Sequence, residues 1–154
     1  MDVLKIWQNL HNKPGGKWAF SKALCLKAPY FSSISPKVEA LQPDLCQVSM
    51  KKTRQVQNHL GTVHAIAMCN MAELVMGLMV DASTPQDMRW IPKGMQVEYL
   101  KKAQGRIHAR AWLPAPLDSS PTGYEVAVPV ELGNPAGEIV CRATITCWIS
   151  PRPR

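Results

Sequence analysis

Hydrophobic and polar positions along the chain change period twice. The first thirty residues carry apolar side chains at roughly helical spacing on both sides of the Pro14-Gly15-Gly16 break, which predicts two short helices. Residues 34–52 then show strand-like alternation on both sides of Pro43-Asp44, which predicts a hairpin. The apolar positions of its strands are Val38 and Ala40 in the first, and Cys46, Val48 and Met50 in the second.

The segment from Thr62 to Val80 is the longest apolar stretch in the chain. After Thr62, the conspicuously polar residues within it are His64, Asn70 and Glu73. A helix with apolar side chains almost all round must be buried nearly all round. The pattern therefore predicts a central buried helix over residues 62–80, and the two polar residues near its middle argue against a membrane span.

Period-two alternation returns after Ser83-Thr84-Pro85 and continues for the rest of the chain. It predicts four strands, with Gln104-Gly105 as the turn that joins the first two and Asn134–Gly137 as the turn before the last. Pro129 has no N–H to donate, so the strand that contains it is expected at an edge or a bulge. The apolar positions of the four strands are Met95, Val97 and Tyr99; Ile107, Ala109, Ala111 and Leu113; Tyr124, Val126, Val128, Val130 and Leu132; and Ile139, Cys141, Ala143, Ile145 and Cys147.

The order of two strands, one long apolar helix and four strands predicts an α+β fold. A single antiparallel sheet of about six strands would wrap around the helix. With 154 residues and 46% apolar content, one domain over residues 1–154 is expected, and residues 1–30 would form a helical extension.

Composition indicates the cellular location and the class of partner more than it indicates the function. A net charge of +7 favours anionic partners, but basic and aromatic residues are not interleaved as a nucleic-acid platform requires, so neither a nucleic-acid nor a membrane partner is expected. The five cysteines form no C-x-x-C pair and no zinc-type spacing, which predicts free thiols and no metal. With no visible export signal, we expect a cytoplasmic protein.

Candidate chemistry lies where the predicted helix begins. The preceding segment, Asn58–His64, is polar and contains Gly61. Such a turn leaves backbone N–H groups free at the positive end of the helix dipole, which is suited to stabilising an oxyanion.

The segment from Asn58 to Glu73 resembles the hotdog-fold thioesterases, in particular the phenylacetate-pathway type. Their signature is Asn, Gly three residues on, His-Gly-Gly, and a small residue followed by an acid within the helix. These positions read Asn58, Gly61, His64-Ala65-Ile66 and Ala72-Glu73 here. The chain is more closely similar to an uncharacterised bacterial hotdog subfamily through residues 27–30, 58–61 and 98–102.

The resemblance implies hydrolysis of an acyl thioester such as acyl-CoA, without a cofactor apart from the coenzyme A of the substrate. Glu73 would be base or nucleophile, Asn58 would orient water or substrate, and His64 with the Ala65 amide would polarise the carbonyl. Gly61 belongs to the same substrate-binding turn. Glu73 lies nine residues, about 13 Å, after His64, so the resemblance also implies a site shared across a homodimer, which could assemble into a dimer of dimers.

Simpler interpretations stay open for each of these residues. Glu73 could be a structural buried acid, His64 a helix cap and Asn58 a turn residue. Lys101 and Lys102 could be solvated ends of a strand, although the phosphates of coenzyme A could also bind there. Because paired glycines are missing at Ala65 and Ile66, a non-catalytic hotdog protein that binds acyl-CoA or another acyl ligand is the alternative function.

Overall fold

The computed structural model describes residues 2–153, and its first elements are the two expected short helices, α1 (Val3–Leu10) and α2 (Gly16–Lys27). The glycines between them allow a tight reversal. Gly15 has a φ of 71°, and a Cβ on Gly16 would lie 1.7 Å from the carbonyl oxygen of Leu10. A 3₁₀ helix, Pro29–Ile34, then leads into the sheet.

The predicted hairpin is confirmed as β1 (Lys37–Gln42) and β2 (Leu45–Met50). Asp44 has a φ of 68° in the Pro43-Asp44 turn, a left-handed conformation that aspartate tolerates better than most side chains. The expected inward position of Ala40 is wrong. A bulge between Val38 and Ala40 shifts the alternation, so Leu41 is buried instead.

The central helix, α3, spans Ala65–Ser83 and therefore begins and ends three residues later than expected. Residues 62 and 63 lie outside the helix, because Val63 bridges to Gln57 and its N–H donates to the carbonyl of Ala103 at 2.9 Å. At the other end, the helix stops just before Thr84 and Pro85. This helix is long and apolar enough to cross a membrane, but more than half of it is buried inside the fold, as expected for the core helix of a wrapped sheet.

The remaining strands are β3 (Met88–Tyr99), β4 (Ile107–Trp112), β5 (Tyr124–Gly133) and β6 (Ile139–Pro151). All six strands form one antiparallel sheet in the order β1-β2-β4-β5-β6-β3. The sheet encloses α3, which confirms the α+β hotdog architecture predicted above.

The Gln104-Gly105 segment joins β3 to β4 along the chain, as expected, but these strands do not pair, because β3 lies on the far side of β6. The expected place of Pro129 at an edge or a bulge is wrong. Pro129 lies in a central strand rather than at an edge. The sheet tolerates it because the β4 ladder on β5 covers only Val130–Gly133 and ends before the proline.

Strand β3 forms one edge of the sheet, and its apolar side chains are unusually exposed. Met95 and Tyr99 lie opposite the fully buried Ile145 and Cys141 of β6, so they share the helix-facing side of the sheet. Nevertheless, 38% of Met95 and 51% of Tyr99 are exposed. Helix α3 therefore does not bury the whole of the inner face of β3, and part of this face is exposed to solvent.

Candidate active site

The turn before α3 is organised by the side chain of Asn58. Its Oδ1 accepts from the N–H groups of Leu60 and Thr62, each at 3.0 Å, and its Nδ2 donates to the Thr62 hydroxyl at 2.8 Å. Gly61 completes the turn with a φ of 73°, which L side chains rarely adopt. The amide of Asn58 therefore shapes the turn and keeps one N–H, of its two, for another acceptor.

His64 is the N-cap residue of α3. Its Nδ1 accepts from the N–H of Ile66 at 3.0 Å, so the neutral ring carries its proton on Nε2. The ring is exposed. Within the described part of the chain, the Ala65 N–H donates to no protein acceptor, and it therefore stays available at the positive end of a 19-residue helix.

A cavity of about 390 Å³ opens beside this helix start. It brings together four of the predicted site residues, namely Asn58, Ala65, Lys101 and Lys102. Lys101 pairs with Glu138 at 2.6 Å, whereas Lys102 makes no salt bridge within residues 2–153. Tyr99 forms part of the wall, and its hydrogen bond to the Cys69 thiol raises its pKa to about 12, so the phenol stays neutral.

Glu73 lies two and a half turns further along α3, on the wall of a different cavity of about 660 Å³. The carboxyl group is about half buried, and desolvation raises its pKa. Within residues 2–153, no group donates a hydrogen bond to it and no cation pairs with it. A carboxylate of this kind is a stronger base than a fully solvated one.

Asn70 is a further polar residue of α3 near the predicted site. It is 8% exposed and donates from Nδ2 to the Ser33 hydroxyl at 3.0 Å. With His64 it lines a small cavity of about 200 Å³ under the 3₁₀ helix Pro29–Ile34. The sequence shows that Asn70 is a polar residue inside an apolar helix. It does not show that Ser33, in a distant segment, is the hydrogen-bond partner of Asn70.

The predicted site residues thus fall into separate places in one protomer. Asn58, Ala65 and the two lysines share the cavity beside the helix start, His64 lines the small cavity with Asn70, and Glu73 faces the larger cavity. Because α3 is continuous from residue 65 to residue 83, the rise from His64 to Glu73 is about 13 Å. The carboxylate and the helix-start donors of one protomer therefore do not meet.

No curated protein matches the chain significantly. Among solved structures, it is 42% identical to the structural-genomics target APC5556, with 97% of this chain and 98% of that chain covered and a TM-score of 0.84. A Pseudomonas aeruginosa protein of unknown function, named a probable thioesterase, is 21% identical, with coverages of 83% and 91% and a TM-score of 0.73. A Haemophilus influenzae thioesterase is 15% identical, with coverages of 84% and 87% and a TM-score of 0.71.

These two distant structures share the fold, in agreement with the predicted hotdog architecture. A family model described as a domain of unknown function, DUF4442, matches residues 16–149. The match includes α2, the turn that carries Asn58, all of α3 and most of the sheet. The chain belongs to this DUF4442 family of hotdog-fold proteins.

Proposed function

We propose that the protein hydrolyses acyl thioesters, with acyl-CoA as the substrate class. The observation that carries the proposal is the presence, on one helix, of an N-terminal amide and, further along, a half-buried carboxylate, neither of which has a hydrogen-bond partner among residues 2–153. A thioester carbonyl needs donors where its oxygen gains charge, and water needs a base to attack it. Two distant structural relatives carry the name thioesterase, which supports the same reaction.

In the proposed mechanism, the Ala65 N–H and the dipole of α3 stabilise the oxyanion that develops on the thioester carbonyl. The Nε2–H of His64 is the second donor. Removal of one such donor typically costs about 10²–10³ in rate. The remaining N–H of Asn58 orients water or substrate, and Gly61 gives the turn the φ that this arrangement requires.

Glu73 of the opposite protomer acts as the base that activates water, or as the nucleophile that attacks the carbonyl. Its raised pKa makes proton abstraction easier than for a solvated carboxylate. Lys102 and Lys101, at the rim of the helix-start cavity, bind the phosphates of coenzyme A.

A homodimer, alone or as half of a dimer of dimers, completes the proposed site. The edge strand β3 offers unpaired backbone groups and exposed apolar side chains such as Met95, which is typical of a surface that a second strand covers. Light scattering should give at least the mass of a dimer. A monomer at micromolar concentration would contradict the shared site. A cytoplasmic location remains an expectation from the free thiols.

The decisive variant is Glu73→Gln, which keeps the size of the side chain and removes the base. We expect kcat on a panel of acyl-CoA substrates to fall by at least about 10²-fold, because general-base catalysis contributes about 10²–10⁴. Release of free coenzyme A can be followed with a thiol reagent. The matched control is Glu125→Gln, an exposed glutamate of β5, away from the edge strand. Unchanged turnover in Glu73→Gln would refute the proposed role.

A second function is favoured by one feature of the helix start. The His64 cap occupies the N–H of Ile66, and the bulky Ile66 is 56% exposed at a position where the thioesterase signature that this segment resembles has glycine. A site with fewer free donors could bind acyl-CoA without turning it over. Tight binding by calorimetry together with no release of coenzyme A in the unmodified protein would establish this acyl-ligand-binding function instead.

A further inference from the structure

The cavity of about 660 Å³ beside Glu73 lies between α3 and the N-terminal helices. Its outer wall comes from α1, α2 and the start of the 3₁₀ helix that follows them, with Ile6, Leu24 and Phe31 as examples. The inner wall comes from α3, including Leu74 and Leu78. The N-terminal helices therefore do more than cover the core, because they form one side of a half-open cavity.

The lining of this cavity selects for an apolar occupant. Its ionisable side chains are Lys27, Glu73 and Asp81, and the Asp81 carboxylate accepts from the indole N–H of Trp90 at 3.4 Å. With two acids and one lysine, the cavity is unsuited to a phosphate or another strongly anionic group. Its aliphatic and aromatic side chains suit a hydrocarbon chain.

The shape of the cavity depends on Gly77, which interrupts an otherwise apolar helix. A Cβ at this position would lie 3.3 Å from the Trp90 ring, so glycine lets the indole lie close against α3. Glycine inside a helix costs about 0.5–1 kcal/mol relative to alanine. Glycine here lets Trp90 form one wall of the cavity next to Glu73.

We propose that this cavity binds the acyl chain of the substrate and makes the enzyme selective for medium and long aliphatic chains. This inference rests on the proposed thioesterase function. A volume of about 660 Å³ lies within the range of about 300–1,000 Å³ that holds ligands of this size. With the thioester carbon beside the Glu73 carboxylate, the chain extends past Gly77 toward the N-terminal helices. A short acyl group leaves most of these contacts unmade.

The test narrows the cavity without disturbing the core. Ala23 is an exposed residue of α2 that lines the cavity, and Ala19 is exposed one turn earlier and outside the lining. We expect Ala23→Phe to lower the ratio of kcat/KM for palmitoyl-CoA to that for acetyl-CoA by at least about tenfold, since small changes in an apolar pocket are worth about 10–200-fold. The matched control, Ala19→Phe, should leave the ratio unchanged.

Direct binding of decan-1-ol, an uncharged probe with an aliphatic chain, can be measured by calorimetry and separates this inference from the proposed reaction. If no acyl-CoA is hydrolysed, but decan-1-ol binds the unmodified protein and binds Ala23→Phe at least about tenfold more weakly, the cavity proposal stands and the reaction fails. If acyl-CoA is hydrolysed with the same chain-length preference in both proteins, the cavity proposal is overturned. If Ala23→Phe changes the mass of the oligomer in solution but not the chain-length preference, a second copy of the chain covers the cavity. That result would also overturn the cavity proposal.

Discussion

His64 combines two properties that different substitutions can separate. Its Nδ1 accepts the Ile66 N–H and caps α3, which leaves the Nε2 proton free for a substrate. Asparagine is among the best N-cap residues but lacks a donor at the place of Nε2, whereas alanine neither caps nor donates. The pair therefore distinguishes a structural cap from a catalytic donor.

We expect His64→Asn to retain the free energy of unfolding within about 0.5 kcal/mol, and His64→Ala to lose about 1 kcal/mol. Turnover of acyl-CoA should fall by a similar factor, about 10²-fold or more, in both variants, since both lack the second oxyanion donor. Urea denaturation and steady-state kinetics measure the two effects. Full activity in His64→Asn would show that His64 acts only as a helix cap and donates no hydrogen bond in catalysis.

Glu73 should also link stability to pH. Burial raises the pKa of its carboxyl in the folded protein, so the protonated form favours folding. This contribution is fully present below the pKa of the unfolded chain and is lost as pH rises through the folded pKa. Glu73→Gln, which stays neutral, should therefore have a higher Tm than the unmodified protein at neutral pH. The difference should shrink as pH falls toward about 4, as calorimetry at several pH values can show.

At the scale of elements, periodicity predicted the helices and strands well because each type of element has its own spacing of apolar residues. It misplaced Ala40, since a bulge depends on the partner strand rather than on the strand's own pattern. Periodicity also did not predict that the chain crosses the sheet after Gln104-Gly105. This crossover follows from the pairing of β3 with β6, and these two segments are about forty residues apart in the sequence. Long-range pairing of this kind leaves no local signal.

The candidate site shows the same difference between features that are local in sequence and features that depend on distant segments. The turn around Asn58 and the helix start are local in sequence, so their residues could be recognised together. The cavity beside Glu73 could not, because its outer wall comes from helices some fifty residues earlier whose pattern indicated only packing. The sequence therefore predicted a helix acid that opens onto a shared pocket, but it did not indicate which residues form the walls of the cavity beside that acid.

The N-terminal helices are held to the rest of the fold by Trp7, which is 3% exposed and packs edge-on against Phe20 at 5.1 Å between ring centroids. Trp7→Ala should therefore cost about 3–5 kcal/mol in the free energy of unfolding. Trp18, 64% exposed on α2, is the matched control, and its replacement by alanine should cost no more than about 1 kcal/mol. Guanidinium denaturation followed by circular dichroism compares the two. Equal losses would contradict the burial that anchors α1.

At the scale of the whole molecule, the continuous helix separates the two halves of the proposed machinery by about 13 Å within one protomer. A two-fold symmetric dimer can bring the helix start of one copy to the mid-helix carboxylate of the other, and it then forms two equivalent sites. Each site would take Ala65 and His64 from one chain and Glu73 from its partner. The exposed inner face of β3 is the surface on which such a pairing would form.

Subunit mixing tests this arrangement directly. Homodimers of His64→Asn and of Glu73→Gln should each be inactive, because every site in them lacks one group. After equal amounts are unfolded and refolded together, half of the dimers are mixed, and each mixed dimer carries one intact site and one site with both changes. Activity should therefore return to about one quarter of that of the unmodified protein, as expected for random pairing in a two-fold dimer. If each site were built within a single chain, every site would keep one lesion and refolding together would restore nothing.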